Sequence, residues 1–185
     1  MFEDKRSKKI LLVAHCALNQ SAKLDQCAFY PGVIREVAGV LIDSDLGLLQ
    51  MPCPELLCLG LDRQVKKGIT PTVEEEDTRI AIRLIEDQSQ LILHKIADDL
   101  IFQLLEYQKN GFTITGLVGM NGSPSCGVEL TWANDEEKQG PGVFIRLLKE
   151  KLEQNDLAIT MRGIKAYEPK EAVDVVKDFI FTISS

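Results

Sequence analysis

Histidine is nearly absent from this chain, with two in 185 residues, and no two of its five cysteines form a C-x₂-C pair. The common ligand sets of a structural zinc site are therefore missing, and zinc would need three thiolates plus some further donor. No apolar stretch approaches the roughly 20 residues of a membrane helix, so no membrane association is expected. Basic residues are outnumbered, 21 against 28, and the formal net charge is −7. Such a surface argues against nucleic acid or an anionic membrane as the main partner. The opening MFEDKRSKKILLVAHC carries basic residues and a short apolar run but no small-residue cleavage site. It reads as a frayed end entering a first strand, not as a signal peptide. Repeats, low-complexity tracts and linkers are also missing. One domain over residues 1–185, in the cytoplasm, is the expectation.

Thiols are what the chain does have. An odd number of cysteines, in a chain long enough to hold its own core, implies free thiols in a reducing compartment. Metal binding or thiol chemistry follows. Cys16 in ILLVAHCALNQ, Cys53 in LLQMPCPELL and Cys126 in GMNGSPSCGVE each follow an apolar run, in a segment marked by polar, proline or glycine residues. Cys27 and Cys58 have no such context and read as small core hydrophobes.

Runs rich in Leu, Ile, Val and Thr predict strands over Lys9–Ala14, Gly47–Met51, Phe112–Gly119 and Leu157–Met161. Helical spacing predicts Pro31–Leu41, Pro141–Gln154 and Pro169–Thr182, each with proline at its start. Val73–Lys109 is the longest helical stretch, opened by a Thr72/Glu75 capping box and closed by Asn110-Gly111. Its polar interval Asp87–Gln90 marks either a bend or a break. Strands alternating with helices imply an α/β fold, a single-domain Rossmann-like parallel sheet flanked by helices. In such sheets the loops beyond the strand carboxyl ends gather in one crevice. Three distant cysteines can meet there.

Gly122-Ser123-Pro124-Ser125-Cys126-Gly127 follows the best central strand. Its glycines would let backbone approach a bulky ligand, although turns of this composition are common without one. In Pro52-Cys53-Pro54-Glu55 two prolines fix the backbone around one thiol. Glu55 can act on whatever that thiol binds, or open a helix and favour its positive end; both roles are compatible. His15 precedes Cys16, but neighbouring strand residues point to opposite faces, so the two are poorly placed to share a metal. His94, in a helix, reads as a bystander. Three thiolates without an evident fourth ligand suit an iron–sulfur cluster better than zinc, and would leave one iron of a [4Fe–4S] cluster open.

At VAHCALNQSAKLD, MPCPELLCLG, GSPSCG and QGPGVFIRLL the chain resembles the DUF523 family, whose characterised members are TudS-type thiouracil desulfurases. The order and approximate spacing match over most of the chain. The resemblance implies an oxygen-sensitive [4Fe–4S] cluster held by Cys16, Cys53 and Cys126, with the substrate's sulfur bound to the fourth iron and released as sulfide. It implies that Glu55 moves protons and that Ser123 and Ser125 position a small sulfur-containing substrate. Two segments depart from the family pattern. Where the family reads G-G-L-P-x-P-R, this chain has Leu56-Leu57-Cys58-Leu59-Gly60-Leu61-Asp62-Arg63. Where it reads R-Y-D-G, this chain has Lys23-Leu24-Asp25-Gln26. The ligands thus carry over better than the pocket, which points to a desulfidase-type site with thiouracil or another sulfur compound as substrate. The competing readings are a non-catalytic iron–sulfur or metal-binding protein that senses redox state or sulfur, and a cofactor-free enzyme with Cys126 as nucleophile.

Overall fold

The computed structural model describes residues 2–184. In chain order the first half holds β1 (Lys9–Val13), α1 (His15–Leu18), α2 (Arg35–Ile42), β2 (Gly47–Gln50), α3 (Pro54–Leu59), α4 (Val73–Leu84) and α5 (Asp87–Lys109). The second half holds β3 (Thr113–Met120), β4 (Leu130–Ala133), β5 (Glu136–Gln139), α6 (Val143–Gln154), β6 (Thr160–Ile164) and α7 (Pro169–Ser184). Four strands form one sheet in the order β2-β1-β3-β6, with every neighbouring pair parallel. The expected α/β architecture is therefore present. α2 and α7 pack together as one helical layer, while α3 and α6 pack on α5 in the other.

Burial explains which strands are central. β1 and β3 are nearly continuous apolar runs and bury almost every residue, whereas the edge strand β6 alternates between exposed and buried. Register levels the strand ends. Val13 pairs with both Gln50 and Val118. The ladder runs one residue further, through Ala14 N–H to the Val118 carbonyl and Met51 N–H to the Val13 carbonyl, each 2.8 Å. From β1 the chain crosses to β2 on one side and later returns to β3 on the other. That reversal places a crevice beyond the carboxyl ends of β1 and β3.

Several boundaries differ from expectation, each for a local reason. α2 starts at Arg35 rather than Pro31. Gly32 and Ile34 spend their backbone groups on the loop after β1, accepting from Gln20 N–H (2.6 Å) and donating to the Ala17 carbonyl (3.0 Å). Pro141 lies just outside its helix, which is capped by Gly142. The stretch Val73–Lys109 is two helices, and the break falls at Ile85–Glu86, ahead of the polar interval. Gln90 in the first turn of α5 donates its side chain to the Leu84 carbonyl (2.7 Å) and seals the joint. The last strand begins at Thr160, not Leu157. Leu157 instead closes α6 by donating to the Leu152 carbonyl, after Asp156 turns left-handed at φ 55°. The antiparallel hairpin β4–β5 was not anticipated. Its signal was the pair Asn134-Asp135, both at positive φ, which suits a two-residue hairpin turn.

Candidate functional site

Each of the three loop cysteines lies just past a strand end, and the level register brings them to one place. Cys16, Cys53 and Cys126 all line a single cavity of 330 Å³ at this edge of the sheet, together with Glu55, Ser123 and Ser125. Gln20 fixes the first loop from within. It is 1% exposed, donates to the Cys16 carbonyl (2.7 Å) and accepts from Phe29 N–H (3.1 Å). Cys53 caps α3, its Sγ accepting from Leu56 N–H at 3.5 Å, with Pro54 at the first helical position.

The Cys126 loop is braced by side-chain and backbone hydrogen bonds along its length. Ser123 Oγ accepts from the backbone N–H groups of Ser125 (3.2 Å) and Cys126 (3.1 Å). Met120 N–H donates to the Cys126 carbonyl (2.9 Å), folding the loop back onto the end of β3. Asn121 Oδ1 accepts from three successive N–H groups, Val128, Glu129 and Leu130. The amino end of α6 then docks underneath. Val143 N–H donates to the Pro124 carbonyl (2.9 Å), and Phe144 and Ile145 N–H to that of Ser125. Gly142 makes this docking possible, because a Cβ there would sit 2.6 Å from the Ser125 carbonyl carbon and oxygen. The two glycines of the loop divide their work. Gly122 borders the cavity at φ +83°, whereas Gly127 packs against the backbone of Ser123 and Leu130 rather than any ligand space.

Glu55 joins two of these loops. Its Oε1 accepts from Ser125 Oγ (2.7 Å) and Ser123 Oγ (3.2 Å), and its Oε2 lies 3.4 Å from Arg63 Nε. Arg63 is itself 1% exposed. It donates to the carbonyls of Gly60 (2.7 Å), Leu61 (3.2 Å) and Ala22 (2.7 Å), so one guanidinium ties the first loop to the second beside Glu55. Ser125 Oγ also lies 3.5 Å from Cys126 Sγ. The carboxylate, two hydroxyls and a thiol form one continuous polar chain.

Electrostatics keep the thiols protonated. Burial pushes Cys53 up to about 12, with the Glu55 charge adding to it. Cys126 is raised well above the ordinary thiol range by burial, then by Cys53 and Cys16. Cys16 is raised by burial too, although Lys23 draws it down. A buried, protonated thiol is a poor nucleophile. Cys16 raises Cys53, and both raise Cys126; thiols that disfavour one another's charge are a donor set that a cationic group between them would relieve. Among the described residues no group of three His, Cys, Asp or Glu side chains is spaced to hold a metal ion.

Two sequence expectations need correction. His15 and Cys16 both line the cavity, because they open the short helix α1 and do not continue the strand. Cys27 packs partly against the core yet also lines the cavity. No proline or glycine flanks it, so the sequence around it carries no sign of that placement. Cys58 does pack against the core, with its Sγ 3.7 Å from the Ser89 carbonyl, and His94 is exposed on α5. Arg63 and Asp77 were not anticipated. Arg63 sits in a segment where the resemblance fails, and Asp77 lies inside an acidic helical run that reads as a solvated face.

No family model matches the chain, and no solved structure matches it. Among curated proteins it is similar to Uncharacterized protein MJ0003 of Methanocaldococcus jannaschii. The two are 31% identical over 123 residues, covering 66% of this chain and 70% of the archaeal protein.

Proposed function

This chain belongs to the same family as that Methanocaldococcus jannaschii protein, and we propose that it is an iron–sulfur-dependent desulfidase removing sulfur, as sulfide, from a small thiolated compound. The observation that carries this reading is the placement of Glu55. Its carboxylate accepts from both serine hydroxyls inside a cavity lined by three thiols from three separate loops. Cys16, Cys53 and Cys126 would hold a [4Fe–4S] cluster; soft thiolates are the ligands such a group takes. When bound, the cluster supplies Lewis acidity toward a carbon–sulfur bond at an iron that lacks a protein ligand.

The chain's own residues supply the rest. Glu55 takes a proton from the water that replaces sulfur on carbon, and the Ser125 hydroxyl hydrogen-bonded to it can pass that proton along. Ser123 mainly holds the loop, since its oxygen already serves two backbone N–H groups, with its hydroxyl directed to Glu55. Arg63 fixes Glu55 from the side away from the serines. Apolar walls that include Met120, Phe29 and Trp132 limit water around the substrate. Lone-thiol catalysis by Cys126 is disfavoured by its raised proton affinity and by its partner, a serine hydroxyl and not a base.

Anaerobic sulfide release from a panel of thiolated bases, thioamides and thiols tests the reading. The cluster-loaded protein should release sulfide from at least one compound. A fully loaded protein that releases none from any of them would be a cluster-binding or sensing protein instead.

A further inference from the structure

The cavity contains a second carboxyl, Asp77 on α4. Three contacts set where it stands. The Thr72–Glu75 capping box fixes the start of the helix. Trp132 Nε1 donates to Thr78 Oγ1 at 2.8 Å, clamping the neighbouring residue to β4. Arg79 bridges Glu76 and the Arg63 carbonyl, each at 2.7 Å, which ties α4 to the loop that braces Glu55. Asp77 itself has no hydrogen-bond or ion-pair partner among the described residues. An acid held at a cavity wall without a protein partner is available to a ligand.

Its surroundings favour the neutral acid. Burial is the largest cause, followed by the Glu55 charge from α3, with Glu74 and Glu76 on its own helix adding to both; Lys23, from the loop after β1, opposes them. Glu137 from β5, Cys27 and His15 share the same cavity. Together these push Asp77 up to about 8, from an ordinary 3.8. At neutral pH it therefore holds a proton, while Glu55 accepts hydrogen bonds from two hydroxyls and a guanidinium. Two carboxyls in one cavity with different environments are the usual arrangement for paired acid and base work.

Resting on the desulfidase reading, we propose that Asp77 is the acid that gives a proton to the departing sulfur while Glu55 takes one from the attacking water. The net change is a hydrolysis: a thiocarbonyl and water become a carbonyl and hydrogen sulfide. The carbon–sulfur double bond is replaced by a carbon–oxygen double bond: one water proton passes to Glu55, Asp77 supplies the sulfur's first proton, the proton of the added hydroxyl passes to the departing sulfur as the carbonyl forms, and no electrons are gained or lost. Asp77 regains its proton from Glu55 by way of water in the cavity, so both acids are restored.

Infrared titration of the full-length protein, wild type against Asp77→Asn, reads the proton directly. The expected result is a protonated-carboxyl band that fades with a midpoint near 8 and is missing from the variant. A wild-type protein with no such band at neutral pH overturns the proposal, whatever its activity. In sulfide release, the wild type should lose activity as pH rises through the same midpoint. Asp77→Asn should lose roughly 10²–10⁴-fold and that limb of the profile, with an unchanged cluster spectrum. An unaltered rate and profile in the variant also overturns it. If wild-type protein releases no sulfide from any panel compound, the desulfidase reading fails and the donor role falls with it. The band still reports separately whether Asp77 is neutral.

Discussion

At the scale of single residues, the proposed function rests on Glu55, and Arg63 braces the loops around it. Glu55 reaches two hydroxyls and a guanidinium but no thiol in its hydrogen bonds. Glu55→Gln should therefore keep the cluster spectrum and lose roughly 10²–10⁴ of sulfide release. Loss of the cluster with unchanged activity per remaining cluster would make Glu55 a structural residue. Arg63 is a buried charge with donors to three carbonyls. Arg63→Ala orphans those acceptors and leaves Glu55 without its ion pair, which should cost about 3–5 kcal/mol in urea unfolding. Arg63→Lys should not rescue it, because a single ammonium cannot reproduce the fork of donors. Full stability in the lysine variant would contradict the role assigned to the guanidinium. Glu55 was legible in the sequence through the Cys-Pro-Glu segment. Arg63 was not, since its importance comes from burial at a left-handed turn (φ 51°), and nothing in Leu61-Asp62-Arg63-Gln64 announces that an arginine is inside.

At the scale of elements, the loop–helix joint at Cys126 is the critical junction. Gly142→Ala forces a methyl against the Ser125 carbonyl and within 2.9 Å of the Pro124 oxygen, both backbone atoms that cannot swing aside. Lifting α6 off the loop should cost about 1–3 kcal/mol and lower cluster occupancy. Gly39→Ala is the opposite case. It lies inside α2 with nothing within 4 Å of the added methyl, so it should gain roughly 0.5–1 kcal/mol. Thermal unfolding of both variants checks the pair, and equal effects would mean that the close approach at Gly142 is not limiting. Central strands were legible because buried parallel strands are apolar throughout, as in Ile10–Val13 and Leu117–Gly119. The β4–β5 hairpin was hidden because Glu136–Gln139 is almost wholly polar and packs no apolar face. Helix starts slid where tertiary hydrogen bonds captured the backbone first, as at Gly32 and Ile34.

At the scale of the whole molecule, the fold sets both the pH response and the convergence of the thiols. Between about 4 and 8 the folded chain holds a proton on Asp77 that the unfolded chain has released. Stability from this group is thus full at low pH and is lost as pH rises through the folded value. Asp77→Asn, neutral throughout, should gain about 1–3 kcal/mol on wild type between pH 5 and 8.5, after allowance for screening at the cavity mouth. A wild-type stability that rises over that interval relative to the variant would contradict the assignment. Convergence itself was legible from the sequence, because strand–loop alternation in a parallel sheet sends successive loops to one edge. The inclusion of Cys27 and Asp77 in the cavity was not, since both arrive by the folding-over of loop and helix. Iron and sulfide analysis after anaerobic reconstitution tests the central claim most directly. The wild type, Cys27→Ala and Cys58→Ala should carry a full [4Fe–4S] cluster, and Cys16→Ala, Cys53→Ala and Cys126→Ala should each lose most of it. A full cluster in the Cys126→Ala protein, or none in the wild type, would contradict the account.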